Sequence, residues 1–475
     1  MRSAHGSHRV LVERSASTFV GHNRELFSRP CTEHKGYSDL YFARLNELAP
    51  RVKTAAAERW GAAALEQQVK TLDAECDVAA LVIGTLYKDM PGKPNIMEEL
   101  TRDALEQQTE AAQSGTGKKY CGPDDTMFIE DDSGRLALRL SAKLADTVLV
   151  TGVVLAVRGK LNEAGELEVE DLCFPALAPQ RELGQPGPQR SGAPSERFVA
   201  LVSGLQLGHS GQDMLPLQLL TEHLTGQLGC DQDHHLQAKI VRLIIAGNAT
   251  CDATSAAGSG GATQPDDPLK KMATDEQRAV AHNMRTLDQF LTAVSASMHV
   301  DLMPGSNDPC NFLLPQQPLH HCMLPTASQL ATLNLCTNPY SCDIDEVRFV
   351  GSSGQPLDDM QRFLPSDDRL KTLEQSLHYQ HMAPTAPDTL GCTPYQDSDP
   401  FVLNECPHVY FAGNQPRFET KEVRGPAGEL VRIVLVPDFG AEQSCVLVSL
   451  DTLECRVVSF SGLLDDAPNP MAVDA

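Results

Sequence analysis

The sequence predicts an α+β protein in which a small β-barrel domain precedes a larger domain built from two packed mixed sheets flanked by helices. Two observations lead to this fold class. Residues 77–178 contain five short runs of strand character separated by Gly- and Asp-containing turns. After a Pro/Gly-rich segment, buried strands alternate with helices, which is typical of layered α/β domains with helical crossovers.

The first two segments precede the barrel. Residues 1–36 are polar with several basic side chains, and they are predicted to form a mobile arm. Residues 37–76 are predicted to be helical, because apolar residues from Tyr37 to Leu72 recur every three to five positions and form one apolar face. We expect that face to pack on the domain that follows.

The barrel prediction for residues 77–178 depends on strand number and turn chemistry. Five antiparallel strands in such a short segment suit a small barrel, and the oligonucleotide-binding (OB) fold is the commonest five-stranded form. Such barrels can bind single-stranded nucleic acid through aromatic and basic side chains, but this segment has few aromatics and more acids than bases. A structural or docking barrel is therefore favoured over a nucleic-acid-binding one. The predicted strands are Asp77–Tyr87, Met127–Glu130, Leu136–Leu140, Thr147–Val157 and Glu166–Phe174.

A Pro/Gly/Ser-rich linker at residues 179–196 separates the barrel from a large domain at residues 197–463, and residues 464–475 form an acidic tail. Residues 250–268 are a low-complexity loop, predicted to be disordered. The later half of the large domain is β-rich, so two sheets packed face to face are expected. The clearest elements are the strands Arg197–Val202, Ala238–Ala246 and Val300–Met303, and the helices Met214–Leu228 and Asp275–Ser297.

Composition excludes several classes of function. The 475 residues carry 39 Lys+Arg against 63 Asp+Glu, a formal charge of −24, which disfavours tight binding to phosphate backbones by this chain alone. The longest apolar run, Thr147–Val157, is far too short to span a membrane. An N-terminal apolar stretch behind a basic start is not present, so no secretory signal is expected.

Cysteine spacing does not indicate a structural metal site. The chain has fourteen Cys, but no Cys-x-x-Cys pair. Reduced thiols in a cytosolic or nuclear protein are the favoured interpretation.

Four apolar runs end in glycine-containing turns, where a two-metal phosphoesterase would place its Asp, His and Asn ligands. They are Val-Ser-Gly-Leu (202–205), Ala-Gly-Asn (246–248), Pro-Gly-Ser-Asn-Asp (304–308) and Ala-Gly-Asn-Gln-Pro (412–416). Two metals need hard carboxylates and imidazoles from several loops, and Leu and Pro cannot ligate. The sequence therefore predicts no bound metal, no cofactor and no catalytic residue. The degenerate ligand positions are Ser203, Leu205, Asn248, Ser306, Asn307, Asn414 and Pro416.

Longer segments around these turns resemble a known family. They include Leu-Val-Ser-Gly-Leu (201–205), Asp-Leu-Met-Pro-Gly-Ser-Asn-Asp-Pro (301–309), Leu-Pro-Gln-Gln-Pro-Leu-His (314–320), Thr-Asn-Pro-Tyr (337–340), Ala-Pro-Thr-Ala-Pro-Asp-Thr-Leu-Gly-Cys (383–392) and Glu-Cys-Pro-His-Val-Tyr-Phe (405–411). Together they are similar to the small (B) regulatory subunits of eukaryotic DNA polymerase delta, over about residues 37–463.

The resemblance implies a fold and a function. The expected fold is a helical stretch, an OB domain and a calcineurin-like phosphodiesterase domain whose metal site has been lost. The expected function is that of a non-enzymatic, nuclear scaffold in a hetero-oligomer. In the family, this subunit holds the C-terminal metal-binding domain of the catalytic subunit and a third accessory subunit that reaches the sliding clamp, so contact with DNA is indirect.

Three other hypotheses compete for individual residues. A phosphodiesterase or nuclease with a reduced metal site would use Asp308, His320 and His408. His320-His321-Cys322 could seed a metal site, although a turn packed on the sheet is favoured. Gly115-Thr116-Gly117-Lys118 is similar to part of a P-loop but lacks the required first Gly and the following Ser or Thr, so a flexible loop is favoured.

Overall fold

The computed structural model describes residues 13–23, 27, 36–75, 78–93, 119–183, 196–208, 212–251, 268–395 and 397–461; the side chains of residues 231–232 and 268–276 are outside this description. Several predictions lie outside the described residues. They concern the P-loop-like segment Gly115–Lys118, most of the linker (184–195), most of the low-complexity loop (252–267) and the tail (464–475).

The first helix, α1, spans Tyr37–Trp60 and packs on the barrel. Its buried face contains Leu48, Val52 and Ala56, which lie in one apolar cluster with barrel residues such as Leu81. The helix ends at Trp60, because the φ of +84° at the following Gly61 is not helical. The prediction of helix as far as Leu72 is therefore wrong beyond Trp60, because two short 3₁₀ turns, Ala62–Gln67 and Thr71–Asp73, replace it.

Five strands form a closed barrel: β2 Ala79–Asp89, β3 Thr126–Glu130, β4 Arg135–Leu140, β5 Val154–Leu161 and β6 Glu166–Cys173. Their order around the barrel is β2-β3-β4-β6-β5. One pairing, β4 with β6, is parallel and the others are antiparallel, so the expectation of a wholly antiparallel barrel is corrected. The predicted strand Thr147–Val157 begins only at Val154, because a tight turn at Gly152 (φ +88°) precedes it.

Two six-stranded mixed sheets form the larger domain, in agreement with the predicted α+β class. Their strands are β1 Phe19–Gly21, β7 Phe198–Val202, β8 Ile240–Ala246, β9 His299–Met303, β10 Leu333–Leu335, β11 Tyr340–Ile344, β12 Val347–Ser352, β13 Val409–Gln415, β14 Glu419–Arg424, β15 Leu430–Pro437, β16 Ser444–Ser449 and β17 Cys455–Ser459. The first sheet has the strand order β1-β11-β12-β13-β15-β14 and the second has the order β10-β9-β8-β7-β16-β17.

The two sheets pack face to face across an apolar layer. Leu201 and Ile244 of the second sheet share one buried cluster with Phe349 and Phe411 of the first. Helices cover the outer faces; for example, Leu287 and Leu291 pack on strands of the second sheet. These helices are α2 Leu215–Thr225, α3 Asp231–Gln237, α4 Pro268–Ser295, α5 Gln355–Arg362, α6 Arg369–His378 and α7 Phe439–Glu442.

Part of the predicted mobile arm is integrated into the larger domain. Strand β1 pairs antiparallel with β11, and the guanidinium of Arg14 donates to the carbonyl oxygens of Leu224 (2.6 Å), Gln237 (3.2 Å) and Ile240 (2.5 Å). For residues 13–23 the prediction of a mobile arm is therefore wrong. The sequence signal was weak because the pairing strand has only three residues.

The start of the predicted linker is also packed on the larger domain. The side-chain amide of Gln180 donates to the carbonyl oxygens of Pro407 (3.0 Å) and Leu430 (2.8 Å). The backbone carbonyl of Pro179 accepts from the amide of Cys406 at 2.9 Å. These bonds anchor the chain as it leaves the barrel.

The barrel and the larger domain share one apolar cluster at their junction. Leu86 and Val150 of the barrel lie in the same buried cluster as Phe363 and Leu377 of the larger domain. Lys88, buried at this junction, donates through Nζ to the carbonyl of Phe363 at 2.8 Å. A large apolar contact of this kind opposes relative domain motion.

Candidate functional site

The candidate site lies at one edge of the sheet sandwich. Strands β7, β8 and β9 are parallel neighbours, so their carboxyl ends meet at the same edge. Strand β13 of the facing sheet ends there as well, because the Asn414 amide bonds to Ser203. In open α/β sheets this edge is where ligands bind. The first three glycine corners predicted from the sequence follow β7, β8 and β9, and the fourth begins within the last residues of β13.

Ser203, after β7, joins the first corner to the fourth. Its hydroxyl donates to the carbonyl oxygens of Val436 (3.2 Å) and Pro437 (3.0 Å), and its oxygen accepts from the Asn414 backbone amide at 2.8 Å. The side chain is fully buried. Ser203 therefore holds strand ends together and has no free donor for a ligand.

Asn414 occupies the centre of the fourth corner in a left-handed conformation, with φ +55°. Its Nδ2 donates to the carbonyl oxygens of Ser353 (2.7 Å) and Ala246 (3.2 Å). Its Oδ1 is buried and has no hydrogen-bond partner. The amide thus serves as a donor to two strand ends, a role that a carboxylate or a metal-bound imidazole could not take.

Asn248 links the second corner to the third. Its Oδ1 accepts from the Asn307 amide at 3.1 Å and from the Ser306 hydroxyl at 3.3 Å. The two turns approach closely, because a Cβ at Gly305 would lie 2.3 Å from the Asn248 nitrogen. The four corners therefore form one hydrogen-bonded group.

Leu205 and Pro416 have different surroundings from the polar corner residues. Leu205 is fully buried in the apolar cluster beneath the helices, together with Leu220 and Leu287. Pro416 lines a cavity of about 590 Å³ at the strand ends. Neither side chain offers a ligand atom at the corner that it occupies.

Sequence reasoning did not identify Asp438, which borders the same cavity. Its Oδ2 accepts from Nε2 of Gln206 at 2.6 Å, and its Oδ1 caps the short helix α7 through the Ala441 amide. Burial raises the pKa of this carboxyl, and the bond from Gln206 opposes that shift. The available signal was an acid directly after the apolar run 430–437, the same pattern that marked the other corners.

Comparison with known proteins supports an assignment at this point. A family model for the B subunits of DNA polymerases alpha and epsilon matches residues 199–420, and one described as DNA polymerase delta subunit OB-fold domain matches residues 36–172. The chain is 37% identical to the DNA polymerase delta small subunit of Arabidopsis thaliana, over 90% of this chain and 91% of that protein. The chain belongs to the DNA polymerase delta small-subunit family.

Other relatives agree with this assignment. DNA polymerase delta subunit 2 of Drosophila melanogaster is 38% identical over 90% of this chain and 94% of its own length. The small subunit of Saccharomyces cerevisiae is 33% identical over 89% of each chain. The chain is thus an accessory subunit of DNA polymerase delta, a hetero-oligomeric enzyme of DNA replication, and its five-stranded barrel is an OB-fold domain.

Asp308 joins the second and third corners through hydrogen bonds to its buried carboxyl group. Its carboxyl oxygens accept from the backbone amides of Gly305 (2.8 Å), Thr250 (2.8 Å) and Ala249 (3.2 Å), and from the Thr250 hydroxyl (3.0 Å). Burial raises the pKa of this carboxyl, and these hydrogen bonds act in the opposite direction. All of its contacts are to the two turns that it joins.

Among the described residues, Asp308, His320 and His408 do not form a group of ligands close enough to share an ion, so the hypothesis of a reduced metal site using these three is wrong. His408 precedes β13, six residues and about 20 Å of strand from Asn414. Its Nδ1 accepts from the Arg348 amide at 2.9 Å, its Nε2 faces the Arg181 carbonyl, and burial lowers its pKa. His320 is exposed on a separate turn.

Two further findings concern metal ligands and membrane spans. Within the described residues, one group of three or more potential ligands lies close enough to share an ion: His320, His321 and Cys322. Among the helices in the described part of the chain, not one has the length and apolar character that crossing a membrane requires.

Proposed function

We propose that the chain is a non-catalytic scaffold that acts in the nucleus. In this proposal it joins the C-terminal metal-binding domain of the catalytic subunit of polymerase delta to a third, clamp-linked accessory subunit. Its larger domain would be a calcineurin-like phosphodiesterase domain that has lost its metals. The observation that carries the proposal is that the side chains of Ser203, Asn248 and Asn414 bond to groups of neighbouring strands and turns of this chain.

The chemistry of the strand ends supports the absence of catalysis. A two-metal hydrolase needs anionic and imidazole ligands that converge on two ions. Here the corner side chains are a hydroxyl and two amides, and they satisfy backbone groups of neighbouring strands. The nearby acids Asp308 and Asp438 accept bonds from backbone amides and from Gln206. This arrangement rigidifies the edge, and within the described residues the potential metal ligands there do not form a group of three close enough to share an ion.

The connection between the domains supports a scaffold. The Tyr120 amide donates to the Arg362 carbonyl at 2.7 Å, and the Tyr379 hydroxyl donates to the Val148 carbonyl. With the shared apolar core, these bonds hold the barrel and the sandwich in one orientation. A rigid body keeps two separate docking surfaces at a fixed spacing, which a bridging subunit requires.

The charge of the chain supports an indirect relation to DNA. The formal charge of −24 repels the phosphate backbone, whose binding depends on Lys and Arg side chains that neutralise phosphates and release counterions. In the proposal, the other subunits of the polymerase provide the contacts with DNA.

Co-purification tests the scaffold proposal. The full-length chain is mixed with a C-terminal fragment of the catalytic subunit and, separately, with the third subunit. We expect a stoichiometric complex with each and a ternary complex when all three are present. Failure of the folded chain to bind either partner would contradict the proposal.

A hydrolysis assay tests the enzymatic alternative. The purified chain is incubated with Mn²⁺ and a generic phosphodiester, beside the variants Asp308→Ala and Asp438→Asn. We expect no hydrolysis above buffer. Because Asp308 braces two turns, each variant is checked for folding by circular dichroism. Activity that follows the chain through purification and disappears in the folded Asp438→Asn variant would overturn the non-catalytic assignment.

A further inference from the structure

A short exposed turn between β9 and β10 carries three adjacent side chains that can bind metals. The turn is a 3₁₀ helix at His321–Met323, closed by bonds from the Met323 amide to the His320 carbonyl (2.9 Å) and from the Leu324 amide to the His321 carbonyl (3.1 Å). Leu319 and Leu324 flank it, and both are buried in the core. Both ends of the turn are thus fixed, while His320, His321 and Cys322 point to solvent.

The side chains of this turn converge. One ligand atom from each of His320, His321 and Cys322 lies within 4.8 Å of the other two. The two imidazole rings face each other, with centroids 4.2 Å apart and planes inclined by 34°. Nδ1 of His320 accepts from the Cys322 amide at 3.3 Å, a long bond that a cation at Nδ1 would replace.

The donor set selects a class of cation. Two imidazole nitrogens and one sulfur suit zinc-like ions, whereas Mg²⁺ and Ca²⁺ prefer oxygen. Zinc bonds of about 2.0–2.3 Å place tetrahedral ligands roughly 3.5 Å apart. All three side chains are exposed, so they are free to rotate and bring their ligand atoms from the observed separation to this value.

We propose that His320, His321 and Cys322 form a surface site for Zn²⁺ or a similar divalent cation, with water in the fourth position. Cys322 binds as the thiolate, so its thiol proton passes to solvent as the metal–sulfur bond forms, and affinity rises with pH. The site lies on a different turn from the glycine corners and does not depend on the proposed scaffold function.

Cobalt spectroscopy tests the site. The full-length chain is treated with a chelator, exchanged into thiol-free buffer and titrated with Co²⁺. We expect a near-ultraviolet thiolate-to-cobalt band that saturates at one equivalent and is displaced by Zn²⁺. His321→Ala should weaken binding at least about tenfold, and Cys322→Ser should abolish the band.

A second exposed cysteine provides the matched control. Cys230→Ser changes an exposed thiol outside the turn and should leave the titration unchanged. All three substitutions are at surface positions, and circular dichroism confirms that each variant is folded. The proposal is overturned by a titration without a thiolate band, by a band that persists in folded Cys322→Ser, or by a band that is lost in Cys230→Ser.

Discussion

Arg44 of helix α1 and Asp399 of the larger domain form an ion pair with both side chains fully buried, Nε and Oδ2 being 2.7 Å apart. The same guanidinium donates to the carbonyl oxygens of Gly152 in the barrel (3.1 Å) and of Pro384 (2.8 Å) and Ala386 (2.6 Å) in the larger domain. One side chain therefore connects the N-terminal helix, the barrel and the sheet sandwich.

We expect Arg44→Met to destabilise the chain by about 3–5 kcal/mol, because the change leaves the Asp399 charge and three carbonyl groups buried without their donor. Urea unfolding at neutral pH measures the loss. The matched control is Arg59→Met on the same helix, where the ion pair with Asp171 is largely exposed and should contribute less than about 1 kcal/mol. Equal effects of the two substitutions would contradict a special role for Arg44.

The stability of the chain should fall between pH 6.5 and about 4 because of His381. Burial, reinforced by the Arg44 charge, lowers the pKa of His381 to about 4, while its Nε2 faces Asp399 at 2.9 Å. The unfolded state takes up the proton near pH 6.5 and the folded state does not. The stabilisation that depends on neutral His381 is thus complete above pH 6.5 and is lost as pH falls to about 4. By pH 5 the free energy of unfolding should have fallen by on the order of 2 kcal/mol.

Unfolding free energies at pH 7 and pH 5, for the wild type and His381→Gln, isolate this effect. The variant should lack that part of the pH dependence. Asp399 does not interfere in this window: burial alone would raise the pKa of its carboxyl, but Arg44 and His381 outweigh burial and hold that pKa well below its usual range. Its contribution is lost only at lower pH. Parallel pH profiles for both proteins would exclude the assigned role of His381.

We expect Asn414→Asp to destabilise the chain by about 2 kcal/mol or more, because a carboxylate cannot donate to the Ala246 and Ser353 carbonyl groups. Thermal or urea unfolding measures the change. Asn404→Asp is the matched control, since this exposed side chain accepts from Arg51 through its oxygen and the aspartate keeps that acceptor. A neutral Asn414→Asp would show that the amide is not needed at the corner.

A chain that begins at residue 24 should have a less protected sheet edge. The Asp345 amide donates to the Thr18 carbonyl at 3.1 Å, and strand β1 covers β11. We therefore expect faster hydrogen exchange at Asp345 in the truncated chain, with little change at Phe349 in the central strand β12. Unchanged exchange at Asp345 would mean that the segment makes no stable contact with the sheet in solution.

The degree to which the site could be predicted differs between its parts. The glycine corners were found from sequence because each follows an apolar strand, and parallel strands place such ends at a common edge. Asp438 follows the same pattern but was not recognised. The hydrogen bonds of Ser203 and Asn414 could not be predicted, because their partners lie on strands far away in the sequence, and Ser203 and Val436 are 233 positions apart.

In the N-terminal region, too, a local feature could be predicted from the sequence and a pairing with a distant strand could not. The apolar spacing of residues 37–60 predicted α1 and its buried face, since helix periodicity is a local property. The pairing of β1 with β11 joins residues far apart in the sequence, such as Phe19 and Ile344. A strand of three residues has too little local pattern to reveal its partner.

The sequence by itself determined the α+β class, the five strands of the barrel and the position of the glycine-containing corners at the strand ends, because each depends on residue type and local spacing. The tertiary structure decided how the corner side chains are used. Chain folding places Arg44 against Asp399, 355 positions away, and turns the corner amides toward neighbouring strands. Burial makes such contacts specific, since an unpaired polar group away from water is costly, and burial is a property of the folded chain alone.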